Sequence, residues 1–118
     1  MRLRCVDCGH VMPAEMFYAC DVCAGILEVV DPVGARVCDD GYLKSTMWRH
    51  AHRLSVSDAG AIVSLGEGAT PLHRAKRLEA TIPGFAGEIW LKDETVNPTG
   101  SFKDRLISAA LSRARELG

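Results

Sequence analysis

Leu91-Lys92-Asp93-Glu94-Thr95-Val96-Asn97-Pro98-Thr99-Gly100-Ser101-Phe102-Lys103-Asp104-Arg105 carries a strand end, a turn and a helix start in one run. Glu88–Lys92 is the strand candidate, since Ile89, Trp90 and Leu91 favour extended backbone. Pro98 presets its own φ and pushes Asn97 toward extended geometry, so residues 97–100 predict a turn. A helix is expected over about 102–117. Ser101 is placed as its N-cap, and Asp104 three residues later suits a box-like cap and the positive helix end. Phe102, Leu106, Ala109/Ala110 and Leu117 follow a helical period, and Gly118 stands where a C′ glycine belongs. The fold class is therefore α/β. One strand–loop–helix unit cannot cover a parallel sheet on both faces, so the chain is expected to hold only the start of such a domain.

Lys103 is the second residue of that predicted helix. A cation there opposes the helix dipole at a cost of about 0.3–1 kcal/mol. The same field favours the neutral amine, the form that attacks an aldehyde. An exposed helix lysine balanced by Asp104 is the simpler account of the position, and spacing alone does not select the reactive reading.

Upstream the texture changes. Residues 1–31 hold four of the five cysteines, as the pairs Cys5-x-x-Cys8 and Cys20-x-x-Cys23 with eleven residues between them. Two residues between thiolates let one tight turn present both sulfurs to one ion, and two such turns complete a tetrahedron. Gly9 permits the positive φ that such a turn requires. Extended runs are expected around Leu3, at Met16–Ala19 and at Ile26–Val30, with Pro32-Val33-Gly34 as the exit turn. Cys5, Cys8, Cys20 and Cys23 are thus read as a zinc ribbon over 1–31, with 32–118 as the incomplete α/β domain. Buried or redox-active thiols are the competing reading, but a redox pair usually occurs once, near a βαβ unit. His10 is a spare donor and Cys38 a bystander. Four protein ligands leave no open position, so this Zn2+ would stabilise rather than catalyse.

In the second region, Met47–Leu54 predicts two helical turns with Met47, His50/Ala51 and Leu54 on one side, and Ser64–Leu72 predicts a loop. Fourteen basic and fifteen acidic side chains nearly cancel, which argues against a general polyanion binder such as a zinc-ribbon nucleic-acid module. No apolar run approaches membrane-spanning length, and no apolar segment follows the first basic residues. The expected setting is the cytoplasm, with no membrane partner, where five cysteines are better explained by metal than by disulfides.

Asn97-Pro-Thr-Gly-Ser-Phe-Lys-Asp-Arg105 resembles the cofactor-lysine motif of the fold type II pyridoxal-phosphate enzymes (tryptophan synthase β-like), and of the threonine synthases in particular. Ser64-Leu-Gly-Glu-Gly-Ala-Thr-Pro-Leu72 is similar to the upstream loop of that family. Met47-Trp48-Arg49 and the ribbon segment Cys20–Val29 resemble its ribbon-bearing members. The resemblance implies that Lys103 holds pyridoxal 5'-phosphate as a Schiff base and later acts as acid and base, with Phe102 packed against the cofactor ring. It implies a lyase acting on a small amino-acid substrate, O-phospho-L-homoserine, to give L-threonine and phosphate, with Lys92 and the Thr70 loop bordering that substrate. The full-length form would be a homo-oligomer. Cysteate synthases and serine/threonine dehydratases share the lysine loop and stand as alternatives. Family members run to several hundred residues, so this polypeptide alone is expected to be inactive.

Overall fold

The computed structural model describes residues 1–31, 34 and 41–118. Most of the expected exit turn and Cys38 lie outside the described residues.

Three short strands form an antiparallel sheet at the amino end: β1 (Arg2–Cys5) lies between β2 (Val11–Pro13) and β3 (Leu27–Val30). Leu3 stands opposite both Met12 and Val29. The middle run of the ribbon is a correction. Val11–Pro13 pairs with β1, whereas the expected Met16–Ala19 forms no strand. The first knuckle fixes this choice, because Cys5 N–H reaches His10 O at 2.8 Å and returns the chain at once.

After α1 (Gly41–Lys44), the helical turns expected from Met47 form as a 3-10 helix over Met47–Arg53. The Thr46 hydroxyl accepts from Trp48 N–H at 3.1 Å and caps it. The helix kinks at His50, whose backbone is not helical; Met47 and Ala51 are buried and Leu54 partly buried, the expected face, while Trp48 joins them and His50 is exposed. Met47, Trp48 and Ala51 with Val56 and Ala61 make the apolar core, against which Leu43, Leu54, Ile62 and Ala109 pack.

β4 (Leu72–Arg74) and β5 (Trp90–Lys92) pair antiparallel, His73 opposite Leu91, with α2 (Lys76–Glu79) between them in sequence. Residues 93–102 then lead into α3 (Lys103–Leu117). The predicted helix is in place to within a residue, but its start is capped differently from expectation. Ser101 Oγ accepts the Lys103 N–H at 3.2 Å. Asp104 does not close a box with Ser101: it turns back to take the Thr99 N–H at 2.9 Å and the Thr99 hydroxyl. The buried residues of α3 are Asp104, Ser108 and Ser112, one face at i, i+4 and i+8. Phe102 and Leu106, which begin the expected helical period, are 65% and 68% exposed.

Candidate active and metal sites

The four sulfurs of Cys5, Cys8, Cys20 and Cys23 lie within 4.8 Å of one another. Cys5 and Cys23 approach to 3.4 Å, and Cys8 and Cys20 to 3.7 Å. A zinc ion with four bonds of about 2.3 Å separates its sulfurs by roughly 3.8 Å, so the cluster has the size of that tetrahedron. The two knuckles repeat one pattern. Cys5 N–H donates to His10 O and Gly9 N–H to Cys5 O; Cys20 N–H donates to Gly25 O and Ala24 N–H to Cys20 O. Amides also point at sulfur, Cys8 N–H at Cys5 and Val22 N–H at Cys20. Gly9 has the expected positive φ of 75°, and Ala24 holds the corresponding place at 58°.

The electrostatics favour a bound cation. The Cys8 amide lowers the Cys5 thiol to about 7 against opposing burial. For Cys23 the Gly25 amide favours the thiolate, but the sulfurs of Cys5 and Cys8 outweigh it and push the thiol up to about 12. Four thiolates cannot share this volume without positive charge between them. The donor set and its spacing fit a divalent, thiolate-seeking metal. His10 faces Asp21 at 3.4 Å rather than the sulfurs.

The second site is built from three segments brought together by long-range hydrogen bonds. Glu67, 1% exposed, accepts from Trp48 Nε1 at 3.0 Å, Ser108 Oγ at 2.6 Å, Leu65 N–H at 2.8 Å and Ser64 Oγ. Gly68 N–H donates to Asn97 Oδ1 at 3.0 Å, tying the 64–72 loop to the turn before α3. Only glycine fits at 68: its φ is +102°, and a Cβ would lie 2.4 Å from Met47 N. Asn97 donates to Glu94, and Arg105 grips the Glu94 carboxylate with Nε at 2.6 Å and Nη2 at 2.8 Å. Thr70 Oγ1 donates to Glu94 at 2.6 Å and accepts from Arg105 at 3.1 Å. The Arg105 guanidinium, then Thr70 and Asn97, hold the Glu94 carboxyl well below the usual carboxylate range.

Lys103 opens α3 and is exposed. Among the described residues its amine has no hydrogen-bond or ion-pair partner. Phe102 beside it is exposed, as are Leu106 and Ile107 one turn on. A cavity of about 220 Å³ lies along the same helix, lined by Val63, Leu65, Ile107 and Leu111 with Glu67, Ser108, Thr99 and Asp104. Lys103 does not line it. Lys92, read as bordering a substrate, instead donates its amine to the Thr70 carbonyl. A free primary amine at the positive end of a helix, bordered by exposed apolar side chains, has the chemistry needed to hold an aldehyde cofactor with a flat ring. The residues present therefore fit the amine side of pyridoxal phosphate.

Sequence reasoning passed over Glu67, Glu94, Asn97 and Arg105 as individual partners. Their bonds span up to 41 residues, and no local period marks them. The one available signal was that Glu67, Asn97 and Arg105 fall inside stretches resembling the cofactor-lysine family; Glu94 lies just ahead of the second.

Residues 63–118 match the family described as pyridoxal-phosphate dependent enzyme. Over its whole length it is similar to threonine synthases. It is 40% identical to that of Methanocaldococcus jannaschii across 100% of this chain and 30% of the relative. With that of Methanosarcina acetivorans the identity is 36%, across 98% of this chain and 29% of the relative. The 2-amino-4-ketopentanoate thiolase beta subunit of Acetoanaerobium sticklandii is 38% identical over 47% of this chain and 13% of its own length. The chain thus spans about a third of the threonine synthases it matches. No solved structure matches it. Among the described residues no helix is long and apolar enough to cross a membrane.

Proposed function

We propose that this chain is the amino-terminal part of a threonine synthase-type lyase, which converts O-phospho-L-homoserine and water to L-threonine and phosphate. In this reading Lys103 is the cofactor amine, and Cys5, Cys8, Cys20 and Cys23 hold a structural zinc in a ribbon over 1–31, ahead of the start of the cofactor domain at 32–118. The supporting observation is that the amine of Lys103, at the mouth of α3, has no partner among the described residues and lies within the stretch that matches the pyridoxal-phosphate family. Of the three relatives compared, the two that cover at least 98% of the chain, cysteine pairs included, are threonine synthases. The thiolase subunit covers under half of it.

Bound pyridoxal phosphate supplies an electron sink for carbanions at the substrate carbons. Lys103 would hold the cofactor through Nζ and, once freed, carry a proton to and from the substrate. Phe102 would cover the ring. Glu94, Arg105 and Thr70 are tied to one another and act on the loop rather than on substrate. The ribbon keeps every ligand position filled by sulfur and takes no part in the chemistry.

The test is to join residues 1–118 to the part of the Methanocaldococcus jannaschii threonine synthase beyond the matched stretch and to assay phosphate release from O-phosphohomoserine. Turnover that Lys103→Ala abolishes is expected, with one zinc per chain by metal analysis. A folded, cofactor-loaded chimera without turnover, or turnover that survives Lys103→Ala, would remove the assignment.

A further inference from the structure

We propose that Arg105 and Asp104, through Glu94 and Thr99, are positioning residues that aim the Lys103 amine. The proposal rests on Lys103 being the cofactor lysine and names what directs it.

The first turn of a helix is its least constrained part, because its leading N–H groups have no partner within the helix. Here the two residues after Lys103 are both anchored to the loop in front of it. Asp104, 8% exposed, takes the Thr99 N–H and hydroxyl. Arg105 makes a two-point contact with Glu94, which Thr70 joins from the 64–72 loop. Ser101 holds the Lys103 N–H from behind.

Successive helix residues are turned by about 100°, so the line midway between Asp104 and Arg105 lies roughly 150° around α3 from Lys103. Fixing those two against the loop therefore directs Lys103 nearly opposite, onto the face where Leu106 and Ile107 are exposed. A two-point guanidinium–carboxylate contact fixes rotation as well as distance, which a single lysine contact does not. Release of the Glu94–Arg105 pair would leave the helix in place, held by Ser108 and Ser112 on the 63–67 segment, but would let its first turn fray. The amine would then lose its fixed direction.

The experiment compares the four lysines of the chain, Lys44, Lys76, Lys92 and Lys103. The 118-residue protein is incubated with pyridoxal 5'-phosphate. A lysine Nζ forms a C=N bond to the aldehyde carbon with loss of water, and borohydride then adds hydride to fix a secondary amine. Peptide mapping gives the share of adduct on each lysine. Lys103 is expected to lead in the parent chain. In Arg105→Ala and Glu94→Gln its lead should fall by about tenfold, the scale set by one lost charge-assisted hydrogen bond. Arg105→Lys should retain part of it, and Arg74→Ala, at a separate ion pair, should leave the lead unchanged. Trp48 fluorescence and the urea midpoint confirm that each variant is folded; should Arg105→Ala not fold, Thr70→Val, which removes one hydroxyl from the same cluster, takes its place. An undiminished Lys103 lead in folded variants overturns the positioning role and leaves the cofactor reading intact. A parent chain in which Lys103 reacts no more than the others overturns the cofactor reading, and the positioning role with it.

Discussion

Ala24 shows how one residue can carry strain that its neighbours impose. It comes directly after Cys23 as Gly9 does after Cys8, and both take the left-handed backbone that closes the knuckle. Glycine adopts that conformation freely, whereas an L side chain costs roughly 1–2 kcal/mol. Ala24→Gly is therefore expected to stabilise the zinc-loaded protein by about 0.5–1 kcal/mol, since the looser unfolded chain offsets part of the relief. Urea unfolding at saturating zinc measures it, and a loss of stability would mean that the alanine methyl makes a contact worth more than the strain. The asymmetry was legible in the sequence, where Gly9 is flagged by its position and Ala24 sits in its matching place. Glu67 is a contrasting case. A glutamate between two glycines reads as an exposed loop carboxylate, and nothing local says that Trp48 and Ser108 converge on it. Its burial comes from partners 19 and 41 residues away.

At the scale of elements, α3 inverts the usual rule for an amphipathic helix. Its buried face is Asp104, Ser108 and Ser112, and its exposed face includes Leu106, Ile107 and Leu111. The inversion has a local cause. The 63–67 segment that α3 meets offers backbone and a carboxylate, so hydroxyls suit it: Ser108 Oγ reaches Val63 O at 2.7 Å, and Ser112 Oγ takes Val63 N–H at 2.8 Å. Periodicity located this helix to within a residue but not which side is inward, because the pattern of apolar residues marks a face without saying what meets it. The consequence can be measured. Leu106→Lys should change the unfolding free energy of this chain, from urea titration, by less than about 0.5 kcal/mol and reduce its self-association in light scattering. Ser108→Ala should cost about 1–3 kcal/mol, because it takes a hydrogen-bond partner from the buried Glu67 carboxylate. A larger loss from Leu106→Lys than from Ser108→Ala would show that the apolar face is already covered within the monomer.

Across the whole molecule, burial falls into two separate groups: Cys5, Met12 and Cys20 in the ribbon, and the cluster around Trp48 beyond it. The cysteine spacing made the first group legible, while in the second the helical period marked Met47, Ala51 and Leu54 but not Trp48, which the 3-10 geometry turns inward. Arg113 joins the two, donating to Ala14 O just past β2 and to Glu116, whose other oxygen accepts from Ser57 N–H and Asp58 N–H at 2.7 Å each. Burial opposes ionisation of Glu116, but the Ser57 hydroxyl, then Arg113 and the two amides, prevail and hold its carboxyl at about 2 against an ordinary 4.5. A depressed carboxylate stabilises the fold fully above its unfolded value, and that contribution is lost as pH falls from about 4.5 toward about 2. Glu116→Gln should flatten the acid limb of the stability curve in that window while changing its slope little near neutrality. The same junction governs the response to metal removal. If Cys5, Cys8, Cys20 and Cys23 hold zinc as proposed, a ribbon with so few buried apolar side chains would depend on that ion, and chelation should unfold it through residue 31. The Trp48 cluster needs no ribbon residue, and the bonds from Ser57 and Asp58 to Glu116 do not pass through Ala14. Hydrogen exchange after chelation should accordingly show lost protection in β1–β3 with the Ser57 and Asp58 amides still protected. Simultaneous loss at both places would mean that the two groups unfold as one unit and that Arg113 transmits the collapse.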